Sequence, residues 1–325
     1  TRRSSDLRTT AFVKIKKLML RGTSFMRSWS YHLLALFVVL CWGMTLVSSK
    51  VLLNFGMQPW ALVELRSVLA YGILIFLAPM QLYSGTMRGE ITVALLGLTS
   101  IPLFFGLQTL ALEHGVVSTT ASLIAMGPLL SGLLAMAALR TWKLHWMTFL
   151  GICTAATGTF LLYFDNAVLQ DLPRLGFYLG LAAAAAYAVY SLVLRALADL
   201  PALFVMRKST GYGILGALPF YLNEQPTDAA ILFEVPVAGA NLVFLALAAT
   251  VIGYTLWHKA EQEIGASGTR WYTYLSPAVG IIGGLWFLNE EMSYIGVMGV
   301  GMILCGVVCA QTGLVRVAAE MAKRW

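Results

Sequence analysis

The stretch Ala61–Leu77, ALVELRSVLAYGILIFL, returns as Ala202–Leu218, ALFVMRKSTGYGILGAL. Eight positions are identical, including Arg66 with Arg207 and Tyr71-Gly72-Ile73-Leu74 with Tyr212-Gly213-Ile214-Leu215. Self-similarity of this kind marks two copies of one structural unit. The correspondence continues outward at offsets of 141 to 150 residues, with small insertions. Glu113, Gly115, Ser118, Thr120 and Pro128 fall on Glu263, Gly265, Ser267, Thr269 and Pro277, and Gly151 and Gly158 fall on Gly299 and Gly306. The repeat therefore covers nearly everything from 31 to 315.

Composition sets the solvent. Hydrophobic residues make up 59% and charged residues only 11%, with a mean hydropathy of +0.78; about a quarter of the residues of a soluble domain are charged. The net charge of +7 could suggest a nucleic-acid partner, but Arg2, Arg3, Arg8, Lys14, Lys16, Lys17, Arg21 and Arg27 all precede the first apolar run. Such a cluster is a cytoplasmic flank of a membrane protein, so the expected partner surface is the lipid bilayer and not nucleic acid. No A-x-A-like cleavage site follows the first run, and residues 1–29 read as a retained tail. Cys41, Cys153, Cys305 and Cys309 all lie in apolar runs and read as reduced packing residues. No metal or other cofactor is expected.

Apolar windows of about 20 residues, the length that crosses the hydrocarbon core, can be placed ten times: 31–53, 60–81, 91–112, 116–139, 146–164, 176–196, 202–222, 238–259, 266–288 and 293–315. The expected fold is an all-α polytopic membrane protein with ten transmembrane helices. Counting Lys and Arg puts both termini on the cytoplasmic side, because only Lys50 and Arg174 fall opposite. Five spans per copy is an odd number, so the copies stand inverted. The organisation is then a basic tail over 1–29, five-helix repeats over 30–165 and 172–315, and a cytoplasmic tail over 316–325. Inverted repeats place a transport site at the interface between the copies.

Pro128 and Pro277 stand in equivalent spans, each removing a helical hydrogen bond. Such breaks are tolerated in a membrane where backbone meets protein or a cavity, and the carbonyls of Ile124 and Thr273 are those the prolines should free. Polar and aromatic residues align toward the same region. Tyr254, Trp257 and His258 share a face of the eighth span, and Gln108 is the repeat equivalent of His258. Tyr187 and Tyr190 share a face of the sixth span; their counterparts in the first are Thr45 and Ser48, with Ser49 beside them and Trp42 one turn away. Ser122 precedes Pro128 on the fourth span. Arg270, ahead of Tyr272 and Pro277, is the cation best placed to meet a carboxylate. Trp60, Trp142 and Trp146 lie near span ends and read as interfacial anchors.

Three segments, Cys41-Trp42-Gly43, Gly115 to Pro128, and Gly265 to Pro277 followed by Leu288-Asn289-Glu290-Glu291, resemble the drug/metabolite transporter superfamily, in particular its ten-helix EamA-type members. The last segment is similar to the family's Leu-Gly-Glu end motif, which the first repeat replaces by Leu139-Arg140-Thr141-Trp142. Within the superfamily the chain looks most like the YddG-type exporters of aromatic amino acids. The resemblance implies a multi-pass protein of the cell inner membrane with a small-molecule substrate, an amino acid.

Other classes lack their signatures. An intramembrane enzyme would need a nucleophile and base or a metal motif such as H-E-x-x-H, and none is present. A channel would want an extended polar lining or a charged ring. Nucleotide-sugar carriers of the same fold would favour several deep Lys or Arg, whereas this candidate cavity is aromatic and nearly neutral. The expected function is export of amino acids, aromatic ones preferred, by alternating access at a central cavity; other metabolites or drugs are the alternative cargo. The sequence carries no signal that fixes an oligomeric state.

Overall fold

The computed structural model describes residues 29–78, 81–138, 145–166 and 173–322. Among these residues the chain is helical, without strands. It runs through α1 (Trp29–Asn54), α2 (Pro59–Leu77), α3 (Met87–Glu113), α4 (Val117–Ala138), α5 (Trp146–Phe164), α6 (Arg174–Arg195), α7 (Ala202–Leu222), α8 (Pro236–Gly265), α9 (Leu275–Phe287) and α10 (Tyr294–Arg316). Local chemistry sets several of the ends. Gly56 takes φ +90° in the turn after α1, and Pro59 opens α2 where a missing N–H costs nothing. The Thr86 hydroxyl accepts from the Gly89 N–H at the start of α3.

Eight of these helices, α1 to α6, α8 and α10, are long and apolar enough to cross a membrane. The two remaining windows of the ten-span expectation depart from that pattern for visible reasons. α7 has 21 residues but carries Arg207-Lys208-Ser209-Thr210 in its first half. The ninth window is split: Gly265 leaves helical geometry at φ +76°, helix resumes to Thr273, and α9 proper holds 13 residues. Large apolar side chains such as Phe76, Phe160 and Trp286 project from the surface, where a bilayer accepts them.

Small residues let the helices approach closely, as they do where lipid removes any hydrophobic drive between helices. The glycines matched by the repeat meet crosswise on α5 and α10: Gly158 lies against Gly299, where an added Cβ would fall 2.5 Å from the Gly299 carbonyl oxygen, and Gly151 lies against Gly306. α2 and α7, the stretches first recognised as copies, pack on each other with the Tyr71 ring on Gly211.

The end of the bundle where α1 stops and α2 starts is tied by polar bonds. Lys50 Nζ donates to the carbonyls of Leu112 and Gly115 at 2.6 and 2.9 Å, closing the C-terminus of α3. Glu224 accepts from the N–H groups of Trp60 and Ala61 at the start of α2. Glu290 does the same for Val117 and Ser118 at the start of α4, at 2.5 and 2.9 Å. Asn289, standing where the resembled motif has glycine, takes φ +52°. Asn is among the few side chains that tolerate that region, so the substitution keeps the turn that aims Glu290 at α4. Asp165 accepts from Ser293, and Thr119 donates to Asn166. At the opposite end Glu90 receives Lys208 and Tyr212, and Arg207 donates to the Gln81 carbonyl.

Candidate functional site

Both proline-bearing segments are broken, and in matching ways. α4 is helical over Val117–Ile124 and again over Gly127–Ala138, with Pro128 second in the new segment. α9 begins at Leu275 after an interruption at Tyr274, with Pro277 third. A proline near the start of a helical segment lacks an N–H that would have no partner there anyway, so each residue fixes the place of the break. The Pro128 carbonyl receives the Gln311 amide from α10 at 2.5 Å.

Each break is packed by a helix of the other half. The Tyr187 ring of α6 sits on Gly127, where a Cβ would come within 2.5 Å of it. On the opposite side Gly43 of α1 sits on Ser276 and Val279 of α9; a Cβ there would fall 2.7 Å from the Ser276 carbonyl oxygen. Gly43, third in Cys41-Trp42-Gly43, thus lets α1 rest against backbone beside Pro277 and places Trp42 one residue away.

Two further irregularities have no counterpart in the sequence reading. Thr99–Gly106 in α3 and Phe244–Ile252 in α8 are π-helical, at corresponding places in the two copies. Such segments skip an i→i+4 partner and recur at functional sites. In α8 the Gly253 N–H bonds to Ala248 and Thr250, bypassing Ala249. The Ala249 carbonyl instead accepts the Trp42 indole N–H at 3.0 Å. Pro102 inside the α3 segment was a legible signal; α8 has no proline or other marker in its π-helical stretch.

Around these irregularities the rings collect. Trp42 contacts Tyr254 and Trp257, with centroids 5.2 and 5.0 Å apart. The Tyr254 side chain lies next to that of Tyr190, Tyr190 touches Tyr187, and Tyr187 meets Phe104 edge-on at 5.5 Å. Phe105, next in sequence, lies under the Arg66 guanidinium at 4.3 Å. Arg66 is 4% exposed and places Nη2 3.4 Å from the Thr250 hydroxyl. The group draws on α1, α2, α3, α6 and α8.

Of the residues selected from sequence, Trp42, Tyr187, Tyr190, Tyr254 and Trp257 are thus joined. Gln108 is buried one turn along α3 from Phe104. Thr45 caps the Trp42 carbonyl at 2.6 Å. Ser122 spends its hydroxyl on the Ser118 carbonyl, and Ser49 is fully buried with no bond to its hydroxyl. Two residues stand elsewhere. His258 is exposed and pairs with Gln262 at 2.9 Å, because the α8 stripe is wider than the contact and its outer edge turns away from Trp42. Tyr272 bonds His32 near the start of α1, three turns from Trp42. The Arg270 side chain lies outside the described residues. Thr250, Phe104 and Phe105 were not singled out from the sequence, whereas Arg66 stands out there as a charge inside a span, matched with Arg207 in the most conspicuous repeated stretch.

The model of the EamA-like transporter family matches the chain twice, over residues 29–164 and 174–311. Two curated relatives, each named "probable amino-acid metabolite efflux pump", are similar over most of their length. One, from Escherichia coli (strain K12), is 26% identical over 86% of this chain and 94% of its own. The other, from Salmonella typhimurium (strain LT2), is 27% identical over 86% of this chain and 92% of its own. A chain of known crystal structure shares the fold with a TM-score of 0.57 at 18% identity, covering 89% of this chain and 98% of that one.

Proposed function

We propose that this chain, which belongs to the EamA-like transporter family, is a secondary transporter that exports amino acids across the cell inner membrane and prefers aromatic ones. It is a multi-pass membrane protein and a transporter by family. The observation that carries the finer reading is the ring cluster of Trp42, Tyr187, Tyr190, Tyr254 and Trp257 gathered beside a buried guanidinium, where α4, α9, α3 and α8 all lose regular helical geometry. Aromatic faces stack on a ring and attract an ammonium, by about 0.5–2 kcal/mol per contact. Modest contacts suit a carrier, which has to release what it binds. The efflux names of the two relatives support an amino-acid cargo.

In this reading the transmembrane unit has ten spans, α7 and the interrupted ninth segment included, arranged as inverted repeats over 30–165 and 172–315. The termini face the cytoplasm, and the end closed by Lys50, Glu224 and Glu290 faces outward. Access alternates as bonds at that end and those of Glu90 with α7 open in turn, with the segments beyond Pro128 and Pro277 swinging on their breaks. α6 and α1 rest on those breaks through Gly127 and Gly43, so a cargo that moves Tyr187 or Trp42 also moves the break.

Liposomes holding the purified protein test this. Tryptophan and phenylalanine should move faster than aspartate or a nucleotide sugar, and Tyr190→Ala or Trp257→Ala should slow aromatic flux selectively. Movement of nucleotide sugars or cationic drugs without aromatic amino acids would overturn the substrate assignment and leave the family intact.

A further inference from the structure

We propose that Arg66 is the residue that binds the cargo's carboxylate, an inference that rests on the amino-acid exporter reading. A guanidinium buried at the middle of a membrane helix needs a counter-charge, because charge in hydrocarbon is costly and is held by pairing. Among the described residues Arg66 has no carboxylate within ion-pair distance; pairs such as Lys208 with Glu90 and His114 with Glu113 lie elsewhere. Glu64 is two residues away on α2, about 200° around the helix, and so projects from a different face. Of the five donors a guanidinium carries, the described bond uses one, to Thr250 at 3.4 Å.

Its neighbours hold the fork in place without neutralising it. Phe105 supports one face at 4.3 Å. The Thr250 hydroxyl donates to the Leu245 carbonyl at 2.7 Å, which leaves its oxygen to accept from Arg66 and fixes that side of the fork. The repeat equivalent behaves differently: Arg207 donates to the Gln81 carbonyl at the end of the bundle. Of the two matched arginines, Arg66 is the one set beside the ring cluster. A planar fork with parallel N–H groups suits a carboxylate bound by two oxygens. An α-amino acid held there by its carboxylate would lay its side chain toward Tyr254 and Trp42.

The test compares tryptophan with tryptophanamide, which keeps the ring and ammonium but lacks the carboxylate, in liposomes of the purified protein. In the wild type the amide should compete with tryptophan uptake at least tenfold more weakly. Arg66→Gln should raise the KM for tryptophan at least tenfold and bring the two competitors together. Arg66→Lys, which keeps charge and loses the fork, should fall between. Equal competition by the amide in the wild type overturns the proposal with no variant needed, as does an unchanged tryptophan KM in Arg66→Gln; tryptophan flux in either case leaves the exporter reading standing. Wild-type liposomes that move no amino acid overturn that reading, and the Arg66 assignment with it.

Discussion

Removing the Glu290 carboxylate should loosen the end of the bundle, by an amount the structure sets. The side chain accepts from Val117 N–H at 2.5 Å and Ser118 N–H at 2.9 Å, and hydrogen bonds to a charged group contribute about 1.5–3 kcal/mol each when the partner is left unsatisfied. Glu290 is half-buried, so water re-satisfies part of the freed helix end, and the cost measured for losing a whole cap is a better guide than the per-bond figure. Loss of an N-cap costs about 0.5–2 kcal/mol, and a negative charge at a helix N-terminus adds about 0.3–1 kcal/mol. The cap and dipole figures, which already contain the two bonds, centre on about 2 kcal/mol for Glu290→Ala and about 1 kcal/mol for Glu290→Gln, which keeps one acceptor. At about 2–4 °C per kcal/mol, the apparent Tm of the purified protein in detergent should fall about 4–8 °C for the first and about 2–4 °C for the second. Glu291→Ala, at an exposed neighbour with no described bond to α4, should stay within about 1–2 °C of wild type. Gly284→Ala should act in the same direction as Glu290→Ala, because its Cβ would fall 2.5 Å from the Glu290 carboxylate. If Glu290→Ala matches Glu291→Ala, the two bonds do not hold α4 and the cap has no structural weight.

The crosswise glycines give a second contrast: Gly158→Ala should destabilise by about 1–3 kcal/mol through backbone crowding against Gly299. Gly301→Ala, with nothing within 4 Å of its Cβ, should be neutral or gain up to about 1 kcal/mol in helix propensity; equal Tm values would refute the packing argument. Replacing Pro128 and Pro277 together by Ala lets each break close into regular helix, and liposome flux should drop at least tenfold with folding retained, an effect of about 1.4 kcal/mol on the barrier; full flux would reduce both to packing residues. Burial pushes the Glu224 carboxyl up against the opposing pull of the Trp60 and Ala61 N–H groups. A raised folded-state value stabilises below the ordinary carboxylate pKa of about 4.3, and that contribution is lost as pH rises through the raised value. Glu224→Gln should therefore remove part of the fall in Tm between about pH 4 and the raised value, and an unaltered profile would contradict this linkage. Single cysteines placed at Thr227 and Arg88 should label from opposite faces of the membrane, and labelling from one face would sink the topology.

The hydrophobic balance and the repeated stretch made a helical membrane protein of two related halves legible, because lipid leaves the backbone little choice but helix and apolar length reports directly on span. The prolines announced the breaks for a similarly local reason, since a missing N–H needs no neighbour to act. The ring positions of Trp42, Tyr187, Tyr190, Tyr254 and Trp257 followed from helical spacing alone. Their limits did not: spacing puts His258 on the Tyr254 face, yet only packing decides where that face ends, and it ends before His258. The π-helical segment of α8, the bond it leaves for the Trp42 indole and the unpaired state of Arg66 are likewise tertiary. Two matched arginines look alike in sequence. One lies among rings at mid-helix and the other reaches a carbonyl at the bundle's end, and the difference comes from neighbours on other helices.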